Sequence, residues 1–525
     1  MDDAIPTSTI AGASTPYVDV HETHTGVVVL FGERAYKAKK PVLTDFLDFR
    51  SAEQREAACL REVELNSRLS PGSYLGVAHL DDPAGGSPEP LVVMRRYRDS
   101  DRLAALVTRS EAGGADESVR GVLDTIAAVL ARFHEHAERG QRIDAKGTPE
   151  AVNQRWSENL HELYRYAGDA FSEESIARIE HLATDFISGR AALFTRRIAD
   201  GCIVDGHGDL LADDIFWVDG ELAMLDCLEF DDELRYIDHI DDAAFLAMDL
   251  EFLGRQDLGD YFLDRYLAHS DDSPPMSLRD FYIAYRAVVR AKVDCVRLAQ
   301  GKSEAAANAS RHVAIATQHL EDGAVRLALI GGNPGTGKST LARALAEQVG
   351  ARVISTDDVR RELRERGDIA GDPGVLDAGL YSRENVTAVY EETVRRASLC
   401  LPNGQSVILD GTWRDPRLRA LAHRLATETH SALVELMCTV AGDAAADRIK
   451  TRQPGNSDAT PEIATALAAR HTGWDTAHRL ETTRPLEDSL REAREAWRRA
   501  TQDEYDTSTR GIGHPGGAGL IDPMK

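Results

Sequence analysis

The sequence lacks several features that would indicate other classes of protein. Its six cysteines include no Cys-x-x-Cys pair, so we predict neither a disulfide framework nor a zinc site. No apolar run approaches the ~20 residues that span a bilayer. The first residues, MDDAIPTSTIAGAST, lack the basic and apolar segments of a secretory signal. We therefore expect a cytoplasmic protein that makes no use of a membrane.

Positive charge is also scarce. Lys and Arg number 61 against 87 Asp and Glu, which gives a formal net charge of −26. Broad binding to nucleic acid or to an anionic membrane depends on a basic face, so we do not expect nucleic acid as a partner. A small basic pocket around one phosphate group is compatible with this charge.

Length and composition fit a globular protein of several compact units. At about 150 residues per domain, the 525 residues suggest about three or four units. Hydrophobic residues make up 42% and charged residues 28% of the chain, which is ordinary. The composition predicts breaks at Asp81–Pro90 and Gly140–Pro149, and a flexible tail after about Asp503.

A glycine-rich loop lies between an apolar strand, Leu327–Ile330, and an alanine- and leucine-rich helix. Its glycines permit backbone conformations that point N–H groups at phosphate oxygens, and the helix N-terminus adds favourable dipole charge. Lys338 is expected to bridge the β- and γ-phosphates of ATP, and Ser339 to coordinate Mg²⁺. The predicted nucleotide-binding residues are Gly332, Asn333, Pro334, Gly335, Thr336, Gly337, Lys338, Ser339 and Thr340.

Predicted strands and helices alternate after this point, which is typical of a parallel sheet covered on both faces. We therefore divide the chain near residue 322. The predicted strands are Arg326–Ile330, Arg352–Ser355, Ser406–Leu409 and Ala432–Cys438, and the predicted helices are Lys338–Val349, Asp358–Arg366, Ser382–Cys400, Pro416–Thr427 and Asp443–Arg452.

Charged side chains follow two of these strands. Asp357, after the second strand, could accept a proton from an acceptor hydroxyl; the alternative is that it only caps the next helix. Arg360, one helical turn later, suits a phosphate or carboxylate on the acceptor. Asp410 ends the third strand and would hold Mg²⁺ through water, while Arg414 would contact the acceptor.

Arg448 and Arg452 lie four residues apart on a predicted helix, just before Pro454–Thr460. Arginines on a lid can neutralise the charge that develops on a transferred phosphoryl group, so we predict both as catalytic. The alternative is a solvated pair of charges on a helix surface.

These motifs resemble the small-molecule and polynucleotide 5′-hydroxyl kinases of the P-loop class, including gluconate-kinase-like and zeta-toxin-like proteins. The resemblance covers about residues 325–480. It is carried by the Gly-Lys-Ser loop, the Asp-x-x-Arg after the second strand, the Leu-Asp-Gly after the third and the Ser-Asp-Ala-Thr segment. It implies phosphotransfer with ATP and Mg²⁺, with Asp357 as the base. Acceptors vary widely across this class, so the acceptor stays open.

A second set of motifs lies in the first half of the chain. His-Gly-Asp-Leu at 207–210 is followed by a predicted hairpin, with Ile215–Val218 as its first strand, and then by Asp226. The hairpin would bring Asp209 and Asp226 into one site. One carboxylate could then orient a hydroxyl while the other binds Mg²⁺ on ATP.

This part resembles the aminoglycoside phosphotransferase and choline-kinase family, which has a protein-kinase-like fold, over roughly residues 20–300. The resemblance implies that Asp209 is the catalytic Asp and Asp226 the metal-binding Asp. It makes Lys37 the strand lysine that holds the α- and β-phosphates, with Lys39 as the competing choice. Glu62 matches the helix glutamate that pairs with this lysine.

Two departures from the family pattern leave the activity of this part open. The pattern His-Gly-Asp-Leu-x-x-x-Asn ends here in Asp214, which also binds Mg²⁺ but adds negative charge, and Thr25-Gly26 is the only candidate for a phosphate loop before Lys37. Leu91–Tyr97 would be the hinge against adenine. An active kinase and a ligand-binding module without turnover are both compatible with the sequence.

The whole arrangement resembles bacterial proteins described as bifunctional aminoglycoside phosphotransferase-like and ATP-binding proteins. It implies an α+β bilobal kinase-like domain followed by an α/β P-loop domain with a parallel sheet. The predicted ranges are 1–16 for a flexible N-terminus, 17–98 for a kinase-like N-lobe, 99–322 for a helical C-lobe and linker, 323–480 for the P-loop kinase domain and 481–525 for a C-terminal helix and flexible tail.

The implied function is ATP-dependent phosphotransfer to a hydroxyl of a small molecule. Two other hypotheses stay open: a nucleotide-dependent switch with a degenerate kinase-like sensor, and a polynucleotide 5′-hydroxyl kinase. The sequence identifies neither the acceptors nor any coupling between the two sites, and it sets no oligomeric state.

Overall fold

The computed structural model describes residues 17–22, 26–43, 48–113, 116–372, 377–440, 444–451, 466 and 473–511. Its contacts divide the chain into two compact units. Unit 1 comprises Met1–Lys146 and Gly201–Asp272, and unit 2 comprises Gly147–Asp200 and Ser273–Lys525. Across the described ranges, no helix combines the length and the apolar character needed to cross a bilayer.

Unit 1 begins with an antiparallel five-stranded sheet in the order β1-β2-β3-β5-β4. Helix α1 starts at a capping box in which the Ser51 side chain accepts from the Gln54 backbone N–H, and the Gln54 side chain accepts from the Ser51 N–H. The bounds are β1 Val18–Glu22, β2 Gly26–Phe31, β3 Arg34–Lys39, α1 Ala52–Asn66, β4 Tyr74–Leu80 and β5 Glu89–Arg95.

The rest of unit 1 is mostly helical, with two short antiparallel pairs, β6 with β9 and β7 with β8. The predicted hairpin is confirmed: its turn residues Asp219 and Gly220 both have positive φ, at 52° and 87°, as the tightest hairpin turns require. The bounds are α2 Leu103–Gly113, α3 Asp116–His136, α4 Gln141–Asp144, β6 Ile203–Asp205, β7 Ile215–Val218, β8 Glu221–Met224, β9 Tyr236–Asp238, α8 His239–Phe252 and α9 Gln256–Ser270.

Unit 2 contains a helical group built around stacked aromatic side chains. Phe281 lies 4.3 Å from Phe186 and 5.3 Å from Trp156, measured between ring centroids. A turn in which Gly301 has φ +89° separates the last two helices of this group. The bounds are α5 Pro149–Tyr164, α6 Glu173–Gly189, α7 Ala191–Ala199, α10 Met276–Ala299 and α11 Ala305–Asp322.

A parallel five-stranded sheet in the order β11-β12-β10-β13-β14 forms the rest of unit 2. The predicted alternation of strands and helices is confirmed. The bounds are β10 Arg326–Gly331, α12 Lys338–Val349, β11 Arg352–Ser355, α13 Thr356–Arg366, α14 Arg383–Cys400, β12 Val407–Asp410, α15 Pro416–Glu428, β13 Ala432–Thr439, α16 Ala444–Thr451, β14 His478–Glu481 and α17 Leu486–Gly511.

The domain boundary predicted near residue 322 differs from the division into units that the contacts give. Residues 147–200 and 273–322, assigned from sequence to the kinase-like part, belong to unit 2. Polar contacts explain part of this difference. Arg178 donates to the backbone oxygen of Thr501 at 2.9 Å, and the buried Arg190 donates to that of Thr429 at 2.8 Å. Such long-range contacts carry no local sequence signature.

The sequence also placed the end of the P-loop domain too early. β14 ends at Glu481 and pairs with β13, and α17 contributes Leu490, Ala493 and Trp497 to the same core as the helix and strands around the glycine-rich loop. The tail predicted after about Asp503 is helical as far as Gly511. The predicted N-terminal segment 1–16 and residues 512–525 lie outside the described residues.

Candidate active sites

In unit 2, the glycine-rich loop connects β10 to α12. Gly332, Gly335 and Gly337 have φ of +135°, +81° and +82°, a region that side chains other than glycine rarely adopt. Within the loop, Thr336 Oγ1 donates to the backbone oxygen of Asn333 at 2.8 Å, and Lys338 Nζ donates to the same oxygen at 3.2 Å. The loop therefore places the start of α12 at Lys338. The N–H groups of a helix N-terminus suit the binding of phosphate oxygens.

We expect alanine at Gly332 to disrupt this loop more than alanine at Gly337. A Cβ at Gly332 would lie 2.5 Å from the Cys438 backbone oxygen and 2.8 Å from Thr336 Oγ1, whereas at Gly337 nothing lies closer than 3.6 Å. Gly337→Ala should incur only the left-handed φ penalty of about 1–2 kcal/mol, which corresponds to a roughly ten-fold loss of affinity for ATP. Titration with a fluorescent ATP analogue checks this, and equal affinities in the two variants would contradict it.

Two candidate magnesium ligands already contact each other. Ser339 Oγ donates to Asp410 Oδ2 at 2.6 Å, because β12 lies beside β10 with Asp410 opposite Ile330. Burial raises the pKa of Asp410, and the nearby Lys338 opposes that rise. A hydroxyl and a carboxylate at this position form a donor set of the kind that Mg²⁺ takes alongside ATP phosphates.

Asp357 lies at the same edge of the sheet, in the first turn of α13. The alternative that it only caps this helix is wrong, because the N-cap is Ser355, whose Oγ accepts from the Asp357 N–H at 3.3 Å. Asp357 Oδ1 accepts from Arg360 Nη1 at 2.7 Å. The Arg360 guanidinium in turn lies over the Tyr381 ring, 4.6 Å from its centroid, which fixes its orientation.

The segment after Asp410 is held by a side chain that the sequence analysis did not single out. The buried Tyr390 hydroxyl accepts from the backbone N–H groups of Thr412, at 2.9 Å, and Trp413, at 3.2 Å. Trp413 has φ +50°, so these bonds help hold a conformation that a tryptophan rarely adopts. The next residue, Arg414, donates to Asn333 Oδ1 at 2.7 Å, which brings it to the glycine-rich loop.

Arg448 contacts the same loop through a neighbour. It donates to the backbone oxygen of Thr482 at 2.6 Å, and Thr482 Oγ1 donates to that of Thr336 at 2.7 Å. The alternative of a purely solvated charge does not fit this contact. Arg452 and the Pro454–Thr460 segment lie outside the described residues.

The charged side chains of this site line one cavity of about 1000 Å³, together with Ser339. Although the chain carries a net charge of −26, six basic side chains and five acidic ones line this cavity. The basic ones are Lys338, Arg343, Arg360, Arg414, Arg448 and Arg484; the acidic ones are Asp357, Asp358, Asp377, Asp410 and Asp415. Pro334 and Thr340 also line it, as do Arg343, Tyr381, Tyr390, Thr482 and Arg484, which sequence reasoning missed because no motif includes them.

In unit 1, the two candidate lysines share one glutamate. Lys37 Nζ lies 2.9 Å from Glu62 Oε1 and 3.1 Å from Asp226 Oδ1. Lys39 Nζ lies 2.6 Å from Glu62 Oε2 and 2.6 Å from Glu229 Oε1. Burial lowers the pKa of Lys37, but Asp226 and Glu62 outweigh it and hold that pKa well above its usual value. Of the two lysines, Lys37 is the one that contacts a candidate metal ligand.

The three carboxylates of this site interact electrostatically. Lys37 lowers the pKa of Asp226, whose backbone takes a left-handed φ of +62° and donates to the Tyr74 hydroxyl at 3.2 Å. Burial raises the pKa of Asp214 well above its usual value, and Asp226 and Asp209 raise it further. A cluster of carboxylates that repel each other suits a divalent cation, which would neutralise them.

The loop that carries Asp209 is braced from behind by α8. The buried Asp242 accepts from the backbone N–H groups of His207, at 2.6 Å, and Gly208, at 3.0 Å. Its Oδ2 also lies 3.0 Å from His134 Nε2. Asp242 therefore braces the loop from α8, and Asp238 caps this helix by accepting from the Ile240 N–H.

We expect Asp242→Asn to lower the free energy of unfolding of this region by about 1.5–3 kcal/mol, because a neutral amide replaces a buried charged acceptor of the His207 and Gly208 N–H groups. Burial opposes ionisation, yet the His134 and His207 contacts hold the pKa of Asp242 below its usual range. The stabilisation is thus present at neutral pH and is lost as the pH falls below about 4. Hydrogen exchange of residues 203–212 during urea unfolding measures it, with the exposed Asp264→Asn as control. A difference between the variants that does not shrink in acid would contradict the assignment.

The predicted hinge falls on β5 and the residues after it. Tyr97 lies 2.7 Å from Ser73, between the two hydroxyl oxygens, and its ring stacks on Phe216 with centroids 4.8 Å apart. Of the candidate phosphate loop before Lys37, Gly26 begins β2 and Thr25 lies outside the described residues.

The two units define the class of protein. A sheet-and-helix unit of the kinase-like type and an α/β P-loop unit with a parallel sheet share one chain. A family model described as an AAA domain matches residues 327–472. This match supports a P-loop kinase domain in this part of the chain.

The chain is also similar to proteins of mycobacteria. It is 66% identical over 485 residues to the uncharacterized protein Rv2004c of Mycobacterium tuberculosis strain H37Rv, a match that covers 92% of this chain and 96% of that protein. The same figures hold for the uncharacterized protein Mb2027c of Mycobacterium bovis. The chain belongs to the family of these mycobacterial proteins.

Solved structures give weaker similarities. A choline/ethanolamine kinase family protein from Mesorhizobium loti has a TM-score of 0.36 and 16% identity, covering 59% of this chain and 92% of that chain. A gluconokinase from Sinorhizobium meliloti has a TM-score of 0.27 and 17% identity, covering 35% of this chain and 97% of that chain.

Proposed function

We propose that unit 2 transfers the γ-phosphoryl group of ATP to a hydroxyl of a small, anionic acceptor. The observation that supports this most is that Lys338, the Ser339–Asp410 pair and the Asp357–Arg360 pair line one cavity. A nucleotide-binding loop alone would fit a switch or a motor. The Asp357–Arg360 pair lies at the same edge of the sheet. It adds a proton acceptor and an anion-binding group, which a second substrate requires.

The chemistry follows from these groups. Mg²⁺, held by Ser339 and Asp410 beside the ATP phosphates, would neutralise charge on the γ-phosphoryl group. Asp357 accepts the proton of the acceptor hydroxyl, whose oxygen forms the new bond to phosphorus as the bond to ADP breaks. Arg360 holds Asp357 through Oδ1, which leaves Oδ2 to face the acceptor. Lys338 and Arg448 donate to the oxygens on which negative charge develops.

The acceptor is expected to be anionic because of the balance of charge in the cavity. Arg360, Arg414 and Arg343 line it, and arginine binds carboxylate or phosphate through two parallel hydrogen bonds. Tyr381 and Tyr390 add ring surface. A sugar acid or a phosphorylated sugar has this combination of hydroxyl and anion.

For unit 1 we propose a second Mg–ATP site. Lys37 would hold the α- and β-phosphates and keep its orientation through Glu62, Asp226 and Asp214 would hold Mg²⁺, and Asp209 would accept a proton from a second acceptor. Asp242 holds the backbone of the loop that carries Asp209. This contact favours an active site over a degenerate one, because we see no other use for fixing that loop.

The experiment measures ADP release from the full chain with Mg–ATP against sugars, sugar acids, aminoglycosides, nucleosides and 5′-hydroxyl oligonucleotides. Lys338→Ala and Asp209→Ala are assayed in parallel. Acceptor-dependent ADP release that is lost in Lys338→Ala and kept in Asp209→Ala supports the proposal for unit 2.

Loss in Asp209→Ala alone would move the chemistry to unit 1. Tight ATP binding with no product from any acceptor would favour the nucleotide-dependent switch. Labelling of oligonucleotide 5′ ends would favour the polynucleotide kinase.

A further inference from the structure

Three residues outside both nucleotide sites bring metal-ligating atoms together in unit 1. Cys202 lies immediately before β6, His239 is the first residue of α8, and Asp272 follows α9. Their Sγ, imidazole nitrogen and carboxylate oxygen all lie within 4.8 Å of one another. Among the described residues, this is the one group of three or more His, Cys, Asp and Glu side chains with that geometry.

Backbone contacts fix the relative positions of two of these residues. The His239 N–H donates to the Cys202 backbone oxygen at 3.0 Å, at the point where β6 and β9 pair. Cys202 and His239 are both buried, at 7% and 8% exposed. The Asp272 side chain is 17% exposed, so it lies on the side from which an ion could reach the thiol and the imidazole.

The distances suit tetrahedral coordination. His239 Nε2 lies 3.4 Å from Asp272 Oδ2. Two ligands at the Zn–N and Zn–O distances of about 2.0–2.1 Å, set at a tetrahedral angle, are also about 3.4 Å apart. The sulfur bond is longer, about 2.3 Å, and so accommodates a wider spacing to Cys202. One ion could therefore contact all three residues after small side-chain rotations.

The other imidazole nitrogen of His239 has a hydrogen-bond partner, as the second nitrogen of a metal-bound histidine does. His239 Nδ1 lies 2.8 Å from the Tyr266 hydroxyl, which lies 2.8 Å from His134 Nδ1. His134 Nε2 then lies 3.0 Å from Asp242 Oδ2. A metal ion on His239 Nε2 would require Nδ1–H of His239 to donate to Tyr266, the hydroxyl to donate to His134, and His134 to donate to Asp242. This direction leaves the lone pair of His239 Nε2 facing Asp272, as a metal ligand requires.

We propose that Cys202, His239 and Asp272 bind a divalent transition-metal ion of the zinc class. A thiolate and an imidazole select such an ion over Mg²⁺ or Ca²⁺, which take oxygen ligands. Binding displaces the thiol proton of Cys202 to solvent. Three protein ligands leave a fourth position for water.

The ion would also be connected, through hydrogen bonds, to the loop of unit 1 that carries Asp209. The chain of hydrogen bonds from His239 ends on Asp242, the residue that holds the His207 and Gly208 N–H groups. A bound ion fixes the tautomer of His239. It thereby fixes which atom donates in each hydrogen bond between His239 and Asp242. The metal site is thus placed to support the geometry of the Asp209 loop from a distance, without contact with nucleotide.

The test uses the full chain, freed of metal with a chelator and kept in excess Mg²⁺ so that the nucleotide sites do not compete. Co²⁺ is then added, because coordination by a thiolate gives a near-ultraviolet charge-transfer band that oxygen ligands do not give. We expect one Co²⁺ per chain with this band, and its loss when Zn²⁺ is added. Absence of the band, or a band that saturates only far above one Co²⁺ per chain, would overturn the proposal.

Variants locate the site. Cys202→Ser should abolish the band, while Cys59→Ser, which alters another buried thiol of unit 1, should keep it. Tyr266→Phe removes the partner of His239 Nδ1 and should weaken Co²⁺ binding about 10- to 100-fold. Should Cys202→Ser fail to fold, Asp272→Asn at the half-buried position decides: weaker binding with the band retained supports the site, and unchanged affinity overturns it.

Discussion

Asp357→Asn is expected to lower kcat for phosphotransfer by about 10²–10⁴-fold, the range that a general base contributes. The amide keeps the size of the side chain and a hydrogen-bond acceptor for Arg360, which now donates to the carboxylate at 2.7 Å. What it loses is the capacity to accept a proton from the acceptor hydroxyl. The affinity for ATP should change little, because the glycine-rich loop, Lys338 and Ser339 remain in place.

Steady-state kinetics with the best acceptor separates these effects, since kcat falls while the KM for ATP stays constant. Asp368→Asn is the matched control: it makes the same change at an exposed aspartate that pairs with Arg366 at 3.1 Å, outside the cavity. A fall in ATP affinity with unchanged kcat would show instead that Asp357 positions the nucleotide.

Asp226→Asn is expected to weaken Mg–ATP binding in unit 1 by at least about 100-fold, because even residues behind a metal ligand typically contribute 10–100-fold. Asp226 pairs with Lys37 at 3.1 Å. As a ligand of Mg²⁺, its carboxylate would also repel the bound phosphates less than a free carboxylate does. Its loss removes a magnesium ligand and a partner of the phosphate-binding lysine in one step.

Calorimetric titration of the full chain tests this prediction because it counts sites. The wild type should bind two Mg–ATP, Asp226→Asn one, and Lys338→Ala one, with the double variant binding none. The exposed Asp219→Asn, in the turn of the β7–β8 hairpin, is the control. Two sites retained in Asp226→Asn would exclude unit 1 as a nucleotide site.

That the side chains of the unit 2 site lie together could be predicted from the sequence because most of their signals are local. The glycines at 332, 335 and 337 and the residues Lys338 and Ser339 follow one another in a few positions, and their structure depends on backbone freedom and a helix start. Asp357 and Asp410 could be placed beside them because parallel strands end at one edge of the sheet.

Unit 1 was predictable only in part. Period-2 spacing puts Lys37 and Lys39 on the same face of β3, so the sequence could not choose between them. The structure shows why: both lysines reach Glu62, one through each carboxylate oxygen, and only Lys37 also reaches Asp226. Which of the two lysines also reaches Asp226 depends on the positions of three separate segments, namely β3, α1 and the residues after β8.

The features that the sequence missed depend on long-range contacts. Tyr390 binds backbone N–H groups 22 and 23 residues away, and nothing in its neighbourhood marks it. The Cys202, His239 and Asp272 group was missed for the same reason, since its members are spread over three segments and form none of the short spacings by which zinc sites are recognised. Tertiary structure alone brings these side chains together.

The position of α17 bears on how the P-loop unit can form during synthesis. The ribosome releases the nucleotide-binding loop long before α17, yet Arg326 at the start of β10 donates to the backbone oxygen of Trp497 at 2.8 Å, and Trp497 packs in the core of the sheet. Until α17 is made, the part of this core that Leu490, Ala493 and Trp497 cover stays exposed to water and chaperones. We therefore expect this unit to fold only after α17 emerges, and genes shortened to the family-model boundary at residue 472 to yield aggregated protein.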